Sequence, residues 1–276
     1  MSTLNITLID VAWGDSIFIE SINDQGIPFY ALIDSNDTST SKSSYIFLKK
    51  LFERQEIDIE QRKPIFDFVM LSHAHSDHGQ GLKEIMMKFG TKCFYYPKSL
   101  QWAGLSTLIS FANKSANVLH HESVNSTKIL PNIGEASIRV LWPDYNLQPD
   151  PNENNNSVVL LVQLANTAIL LTGDAEENVW NTIASQIPAD LKVFKVPHHG
   201  SVNGTFRQDG SPCWLDNLPS GTLLAMSSHI KPHGHPHNSV INLFTSNNYS
   251  YFRTDTDYHL TFQADGVTVK TKYSHF

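Results

Sequence analysis

Cysteine is scarce in this sequence. Its 276 residues contain two cysteines, Cys93 and Cys213, which are far apart and form no CxxC pair. Two such thiols argue against a disulfide framework, because frameworks of that kind need several cysteines at short spacings. They are typical of a reducing compartment, and we therefore expect a cytoplasmic protein.

Long apolar runs are also lacking. No stretch reaches the roughly 18 consecutive apolar residues that a membrane-spanning helix needs. The segment Met1–Asn5 has no basic region followed by a long apolar stretch, which a secretory leader would show. We therefore expect neither a membrane segment nor a signal peptide.

Basic side chains are fewer than acidic ones. The sequence has 20 Lys and Arg residues against 27 Asp and Glu residues, a formal net charge of -7. This balance argues against a broad basic platform for nucleic acid, but it leaves room for a small phosphorylated substrate held by metal ions. Hydrophobic content of 41% and charged content of 17% are those of an ordinary globular protein. We expect residues 1–276 to form a single domain.

Three histidines and one aspartate fall within six consecutive positions. His73, His75, Asp77 and His78 directly follow the apolar run 66–71, which predicts a buried strand, and a glycine-rich turn and a helix follow them. Imidazole nitrogens and carboxylate oxygens that converge on a tight loop can bind a metal ion. The alternative is a polar surface loop that happens to be rich in histidine. The density of the cluster, in a chain with 13 histidines, favours the metal site.

Asp174 has a similar setting at the end of a strand. The apolar segments 157–164 and 167–171 predict two paired strands that end at Thr-Gly-Asp174. A carboxylate just beyond a buried strand is well placed to bridge two metal ions. The alternative is that Asp174 caps the helix predicted at 176–186.

Adjacent and clustered histidines follow two later strands. The strand predicted at 191–197 runs into His198 and His199, and the strand predicted at 222–228 runs into a segment that contains His235. Their positions at strand ends make all three candidates for the same site.

Other polar residues are interpreted without a direct role. We interpret Asp15 and Asp34 as turn and strand-end residues, and His120 and His121 as surface histidines. The loop 144–156 is dense in Asn, Pro and Asp, and it is the best candidate for an internal seam between two strand-rich halves.

The segment His-Ala-His-Ser-Asp-His at 73–78 resembles the His-X-His-X-Asp-His motif of the metallo-β-lactamase superfamily. The resemblance covers nearly the whole chain, because the Thr-Gly-Asp at 172–174 and the Pro-His-His-Gly at 197–200 follow in the order of the remaining metal motifs of the family. It implies an α/β fold, a four-layer αββα sandwich with the metals at one edge. The metal ligands that it implies are His73, His75, Asp77, His78, Asp174 and His199.

Within the superfamily the chain resembles the ComEC-type hydrolases and their stand-alone relatives. The similarity lies in the opening segment IDVAWGDSIFIE and in the stretch GHPH at 234–237. In the family pattern His199 matches the ligand, and His198 is then a group that contacts the substrate or a ligand. The reverse assignment of these two histidines stays open.

The chain departs from the superfamily pattern in one place. The superfamily usually has a further ligand histidine about 24 residues before its bridging aspartate, but the window 150–157 contains none and is rich in asparagine, including Asn154 to Asn156. In the family pattern His73 and His75 would bind one metal and Asp77 and His78 the second, so the first metal has fewer protein ligands here. Either the enzyme uses one metal, or water, Asn or a substrate phosphate completes the second.

The resemblance implies metal-assisted hydrolysis with one or two divalent ions, zinc or manganese. The ions would activate a bound water that Asp77 orients, and His198 or His235 would protonate or bind the leaving oxygen. The preferred substrate is a phosphodiester, in a small molecule or a single-stranded nucleic acid, with a protein partner as one means of delivery. We expect three cations near it, Lys195, Arg207 and Lys231. The alternatives are a lactam, lactone or thioester hydrolase, and a regulatory binding protein that kept the fold and lost turnover.

Overall fold

The computed structural model describes residues 2–99 and 102–274, and its strands form two β-sheets. The strands are β1 (Thr3–Leu8), β2 (Ile17–Ile22), β3 (Pro28–Ile33), β4 (Phe66–Met70), β5 (Thr91–Pro97), β6 (Val118–Val124), β7 (Ser137–Trp142), β8 (Val159–Leu164), β9 (Thr167–Leu171), β10 (Leu191–Lys195), β11 (Leu223–Met226), β12 (Tyr251–Arg253), β13 (His259–Ala264) and β14 (Val269–Ser274). The helices are α1 (Ser43–Arg54), α2 (Ile59–Arg62), α3 (Ser76–Gly79), α4 (Leu82–Phe89), α5 (Ala103–Lys114), α6 (Glu177–Ile183), α7 (Val202–Thr205), α8 (Asn238–Ser246) and α9 (Thr254–Asp257).

The two sheets share one plan. The first sheet has the order β14-β13-β1-β2-β3-β4-β5-β6, antiparallel up to β3 and parallel from β3 to β6. The second sheet has the order β12-β11-β10-β9-β8-β7, antiparallel from β7 to β9 and parallel from β9 to β12. Loops that leave the carboxyl ends of neighbouring parallel strands gather at one edge of each sheet. That edge carries the polar residues described below.

Strand β4 explains how the layers stack. Phe68 and Met70 point into the cluster that also contains Val162 and Val193 of the second sheet, so the two sheets pack face to face. Phe66 and Val69 point the other way, into a cluster under helices α1, α4 and α5. A strand covered on both faces needs apolar residues on both, which is why this segment is almost continuously apolar.

The second sheet is covered on its outer face in the same way. Trp180 of α6 and Phe244 of α8 pack with Phe194 and Trp214, with ring centroids 4.4–6.5 Å apart. Aromatic side chains of this size dominate core energetics, and truncating one to alanine costs about 3–5 kcal/mol. The fold is therefore the four-layer αββα sandwich that the sequence predicts.

The predicted internal seam at 144–156 is wrong. This loop joins β7 to β8, which are neighbours within the second sheet. The chain crosses between the sheets earlier, between β6 and β7. Asparagine and proline indicate where a chain turns, but they carry no information about which sheet the next strand joins. Among the residues that the structure describes, no helix is long and apolar enough to cross a membrane.

Candidate metal centre

The loop after β4 brings its histidines together. His73 and His78 are fully buried, whereas His75 and Asp77 are partly exposed at the start of α3. His73 Nε2 lies 3.0 Å from His75 Nδ1, so these two side chains point to the same side of the loop. The backbone N–H of Ala74 donates to the Glu153 carboxylate at 3.0 Å, which ties the loop to the second sheet.

Asp174 follows β9 and faces this loop. Its Oδ2 atom lies within 4.0 Å of Nε2 in four imidazoles, at 3.7 Å from His73, 3.4 Å from His78, 4.0 Å from His198 and 3.3 Å from His199. Its backbone N–H donates to Ser157 Oγ at 2.9 Å. The alternative role as a helix cap is wrong, because Glu176 is the residue that precedes α6.

The turn Pro197–Gly200 after β10 presents two adjacent histidines to Asp174. His198, His199 and Gly200 have φ angles of 48°, 55° and 79°, three left-handed residues in a row. This conformation costs roughly 1–2 kcal/mol for each residue that has a Cβ atom. Strain of this kind persists where the surrounding structure enforces it, commonly at functional sites. Here it directs both imidazoles toward one carboxylate.

His78 and His199 are each held in place through the ring nitrogen that faces away from Asp174. His78 Nδ1 donates to Asp34 Oδ2 at 2.7 Å, and His199 Nδ1 donates to the carbonyl oxygen of Ser227 at 2.9 Å. In both rings this leaves Nε2 as the free nitrogen, aimed at Asp174. Metal-ligating histidines are held in this way by carboxylates and carbonyl oxygens.

Three buried polar atoms of the centre have no hydrogen-bond partner among the described residues. They are His78 Nε2, His199 Nε2 and Asp174 Oδ1. A buried polar atom left unsatisfied costs about 1–3 kcal/mol. A divalent cation accepts lone pairs from imidazole nitrogen and carboxylate oxygen, so it would satisfy these atoms together.

Among the donor groups with the dimensions of metal sites, two triads consist only of the ligands that the resemblance implies. In each triad the donor atoms lie within 4.8 Å of one another. One triad is His73, His78 and Asp174, and the other is Asp77, His78 and His199. The residues present therefore fit a metal centre, and His75 extends the first triad through its contact with His73.

Two groups of the centre, Asp174 and His73, have pKa values shifted toward the forms that bind metal. Burial opposes ionisation of Asp174, but the surrounding imidazoles of His199, His78, His198 and His73 hold its pKa well below its usual value. Burial, followed by the neighbouring His78, holds the pKa of His73 well below its usual value, so His73 is neutral. An anionic carboxylate and a neutral imidazole are the forms that bind metal ions.

The region below the histidines holds buried charges whose importance the sequence did not reveal. Asp15 and Asp34 lie at a turn and a strand end, as predicted, but both are fully buried. Asp34 accepts hydrogen bonds from the N–H and Oγ of Ser72, at 2.7 and 2.6 Å, as well as from His78. Asp15 lies 2.8 Å from the Nζ of Lys195, and its Oδ1 lies 3.7 Å from His199 Nδ1.

Two of the three cations expected near the substrate are committed elsewhere. Lys195 is fully buried, paired with Asp15, and also donates to the carbonyl oxygen of Gly173 at 3.2 Å. Arg207 donates to backbone carbonyls of Pro212 and Cys213 within its own loop. Their side chains are therefore structural. Lys231 is exposed in the loop that contains His235.

His235 lies at the rim of the centre. Its ring centroid is 5.6 Å from that of His198 and 6.1 Å from that of Trp13. Burial, reinforced by the charges of His198, His199 and His233, lowers the pKa of His235 to about 4. Its buried Nδ1 has no hydrogen-bond partner among the residues described. His120 and His121 lie apart on β6, where His120 is exposed, as predicted.

Comparisons with known proteins identify the fold and nothing finer. No family model and no curated protein matches the chain. Among solved structures, the chain is similar to Igni18, a novel metallo hydrolase from the hyperthermophilic archaeon Ignicoccus hospitalis, with 13% identity, a TM-score of 0.53, and 99% of this chain and 100% of that chain covered. It is also similar to CmlA, a diiron β-hydroxylase from Streptomyces venezuelae, with 12% identity and a TM-score of 0.54.

The CmlA match covers 98% of this chain and 54% of CmlA, so this chain spans about half the length of that protein. Both matches extend over almost all of the present chain. At these identities they show a shared fold, and they confirm the predicted αββα sandwich.

Proposed function

We propose that the protein is a metal-dependent hydrolase and that its substrate is a phosphodiester. The observation that carries this proposal is the convergence of four imidazoles from two sheets on Asp174, with buried ring nitrogens left free. The residues that would hold one or two divalent ions, zinc or manganese, are His73, His75, Asp77, His78, Asp174 and His199. An ion bound there would supply Lewis-acid polarisation of the scissile group and lower the pKa of a water ligand.

Asp77 is suited to orient the attacking water. Its side chain is 14% exposed, whereas those of His78 and His199 are essentially buried. Asp77 Oδ2 lies 3.8 Å from Nε2 of both histidines. It is therefore the carboxylate of the second triad that solvent and substrate can reach, and it can accept a proton or hydrogen bond from the nucleophile.

His235 is suited to act on the leaving oxygen. Neighbouring histidines lower the pKa of His235. The negative charge of a bound phosphodiester would oppose this effect and favour the protonated form of His235. An imidazolium at this position could donate a proton to the departing alkoxide. A substrate oxygen would supply the hydrogen-bond partner that the Nδ1 of His235 lacks.

The choice of phosphodiester rests on charge. Transition states of phosphoryl transfer accumulate negative charge, and they are stabilised by metal ions and protonated imidazoles. The rim supplies His235, and the ring centroids of Trp13 and His233 lie 4.3 Å apart beside it. With Lys195 and Arg207 turned away, few phosphates of a long polymer could be neutralised. A short or single-stranded substrate fits better than duplex DNA.

A substrate panel tests the proposal. The apoprotein is reconstituted with Zn²⁺ or Mn²⁺ and assayed with a bis-aryl phosphate and with a β-lactam reporter, with Asp77→Asn as the inactive control. We expect cleavage of the phosphodiester that Asp77→Asn abolishes. Turnover of the lactam alone would mean that the substrate is a lactam and not a phosphodiester. Bound metal without turnover of either substrate would favour a regulatory binding protein.

A further inference from the structure

His198 shares the contact pattern of the two buried ligand candidates. In His78, His198 and His199 alike, Nδ1 is held by an oxygen acceptor and Nε2 is directed at Asp174 Oδ2. For His198 the acceptor is Glu176 Oε1, at 2.9 Å. Because a carboxylate can only accept this hydrogen bond, the Nδ1–H tautomer is fixed and the lone pair is on Nε2. That is the arrangement of a metal ligand.

Glu176 is itself held rigidly for this task. Its Oε1 accepts a hydrogen bond from Asn154 Nδ2 at 2.8 Å, and its Oε2 accepts one from Asn152 Nδ2 at 2.7 Å. Its backbone N–H donates to the side-chain oxygen of Asn155 at 3.2 Å. The asparagine-rich segment has no histidine of its own. Its side chains instead hydrogen-bond Glu176, which orients His198. A surface histidine would need no such support.

The backbone points to the same role. The left-handed conformation at both His198 and His199 brings two consecutive side chains to the same carboxylate oxygen, although consecutive side chains normally diverge. A turn that strained only His199 would suffice for a single ligand. Left-handed backbone at His198 as well as at His199 is typical of residues that are required at a functional site.

We propose that His198 is a metal ligand that binds through Nε2 beside His73 and His75, and that Glu176 is its positioning residue. This inference rests on the proposed function, since it needs the metal centre to exist. It supplies a further imidazole to the ion of His73 and His75, whose triad otherwise contains His78 and Asp174. It also leaves His235 as the proton donor and removes His198 from that role.

Metal binding by the apoprotein tests the assignment without any assay of turnover. Wild type, His198→Ala, Glu176→Gln and the control His233→Ala are titrated with Zn²⁺ by calorimetry, and bound metal is counted by elemental analysis. His233 is a matched control because it is a histidine of the rim loop and is exposed, whereas His198 lies 4.0 Å from Asp174. Glu176→Gln keeps the size of the side chain, and circular dichroism reports on folding of each variant.

We expect His198→Ala to lose one equivalent of bound metal and Glu176→Gln to bind that equivalent roughly 10–100-fold more weakly. His233→Ala should bind as the wild type does. Unchanged stoichiometry and affinity in folded His198→Ala would overturn the inference and return His198 to the role of proton donor. A wild type that binds no metal would instead overturn the proposed function, so the two failures are distinguishable.

Discussion

The loop after β4 and the turn after β10 bring histidines to the same carboxylate by different means. The loop keeps negative φ angles from 71 to 78 and is held by side chains, above all by Asp34, which binds Ser72 and His78. The turn is held by strained backbone and lies over the buried pair of Asp15 and Lys195. The loop should therefore respond most to changes of its hydrogen-bond partners, and the turn to changes of packing and buried charge.

The largest effect on stability should come from the buried pair beneath the turn. Replacing Lys195 with Met leaves Asp15 charged and unpaired in the core, which should lower the free energy of unfolding by about 3–5 kcal/mol. Urea denaturation measures this loss. The double variant Lys195→Met, Asp15→Asn should recover part of it, because no uncompensated charge remains.

The half-exposed pair of Lys42 and Glu84 is the control for this measurement. These side chains are 36% and 31% exposed and 2.6 Å apart. Lys42→Ala should cost no more than about 1 kcal/mol, because exposed ion pairs contribute little. Equal losses for Lys42→Ala and Lys195→Met would show that the buried pair has no special role under the turn.

Asp174→Asn should damage the loop and the turn together. The amide keeps the size of the side chain but removes the charge that faces four imidazoles. We expect metal affinity to fall by roughly 100-fold or more, above the effect of groups that only orient a ligand. Calorimetric titration of the apoprotein with Zn²⁺ measures this. Wild-type affinity in the variant would mean that Asp174 does not contact the ion.

Two glycine substitutions test whether the turn that contains Gly14 supports the loop after β4. Gly14 and Gly26 have φ angles of 90° and 80°, so alanine is strained at both. A Cβ atom on Gly14 would lie 2.1 Å from the backbone oxygen of Asp77, whereas one on Gly26 would meet nothing within 4 Å. Gly14→Ala should therefore cost about 1–3 kcal/mol more than Gly26→Ala in thermal or urea unfolding. Equal costs would exclude the close approach to Asp77.

Asp34→Asn should weaken metal binding less than Asp174→Asn does. The amide still accepts from Ser72, but it supports the His78 ring less well than a carboxylate does. Metal affinity should fall roughly 10- to 100-fold, with little change in folding. A drop in stability without a change in affinity would give Asp34 a purely structural role.

The sequence revealed the groups that face the metal site more readily than those that support them. An apolar run directly precedes His73 to His78, Asp174 and His199. A short window of sequence therefore shows both the candidate ligands and the strand end that positions them. Asp15, Asp34, Glu176 and Lys195 act through partners 22 to 180 residues away in the chain, and no local pattern reports such contacts. The one available signal was Lys195, a cation between the apolar residues Phe194 and Val196 where the strand ends at the site.

The same reason explains the wrong expectations. The seam at 144–156 and the substrate-facing roles of Lys195 and Arg207 were drawn from composition and nearness in sequence, whereas sheet order and side-chain partners decide them. The fold itself was predictable through the resemblance of the segments 73–78, 172–174 and 197–200 to family motifs, each of which follows a strand that the local apolar pattern reveals.

Elemental analysis of the purified protein tests the central claim most directly. The wild type, after exposure to Zn²⁺ or Mn²⁺ and removal of free metal, should contain about one to two equivalents, the number expected for a mononuclear or dinuclear hydrolase. The double variant His78→Ala, His199→Ala should lose most of that metal, because it removes a donor shared by both triads together with a second donor. A folded double variant with the full metal content of the wild type would contradict the account.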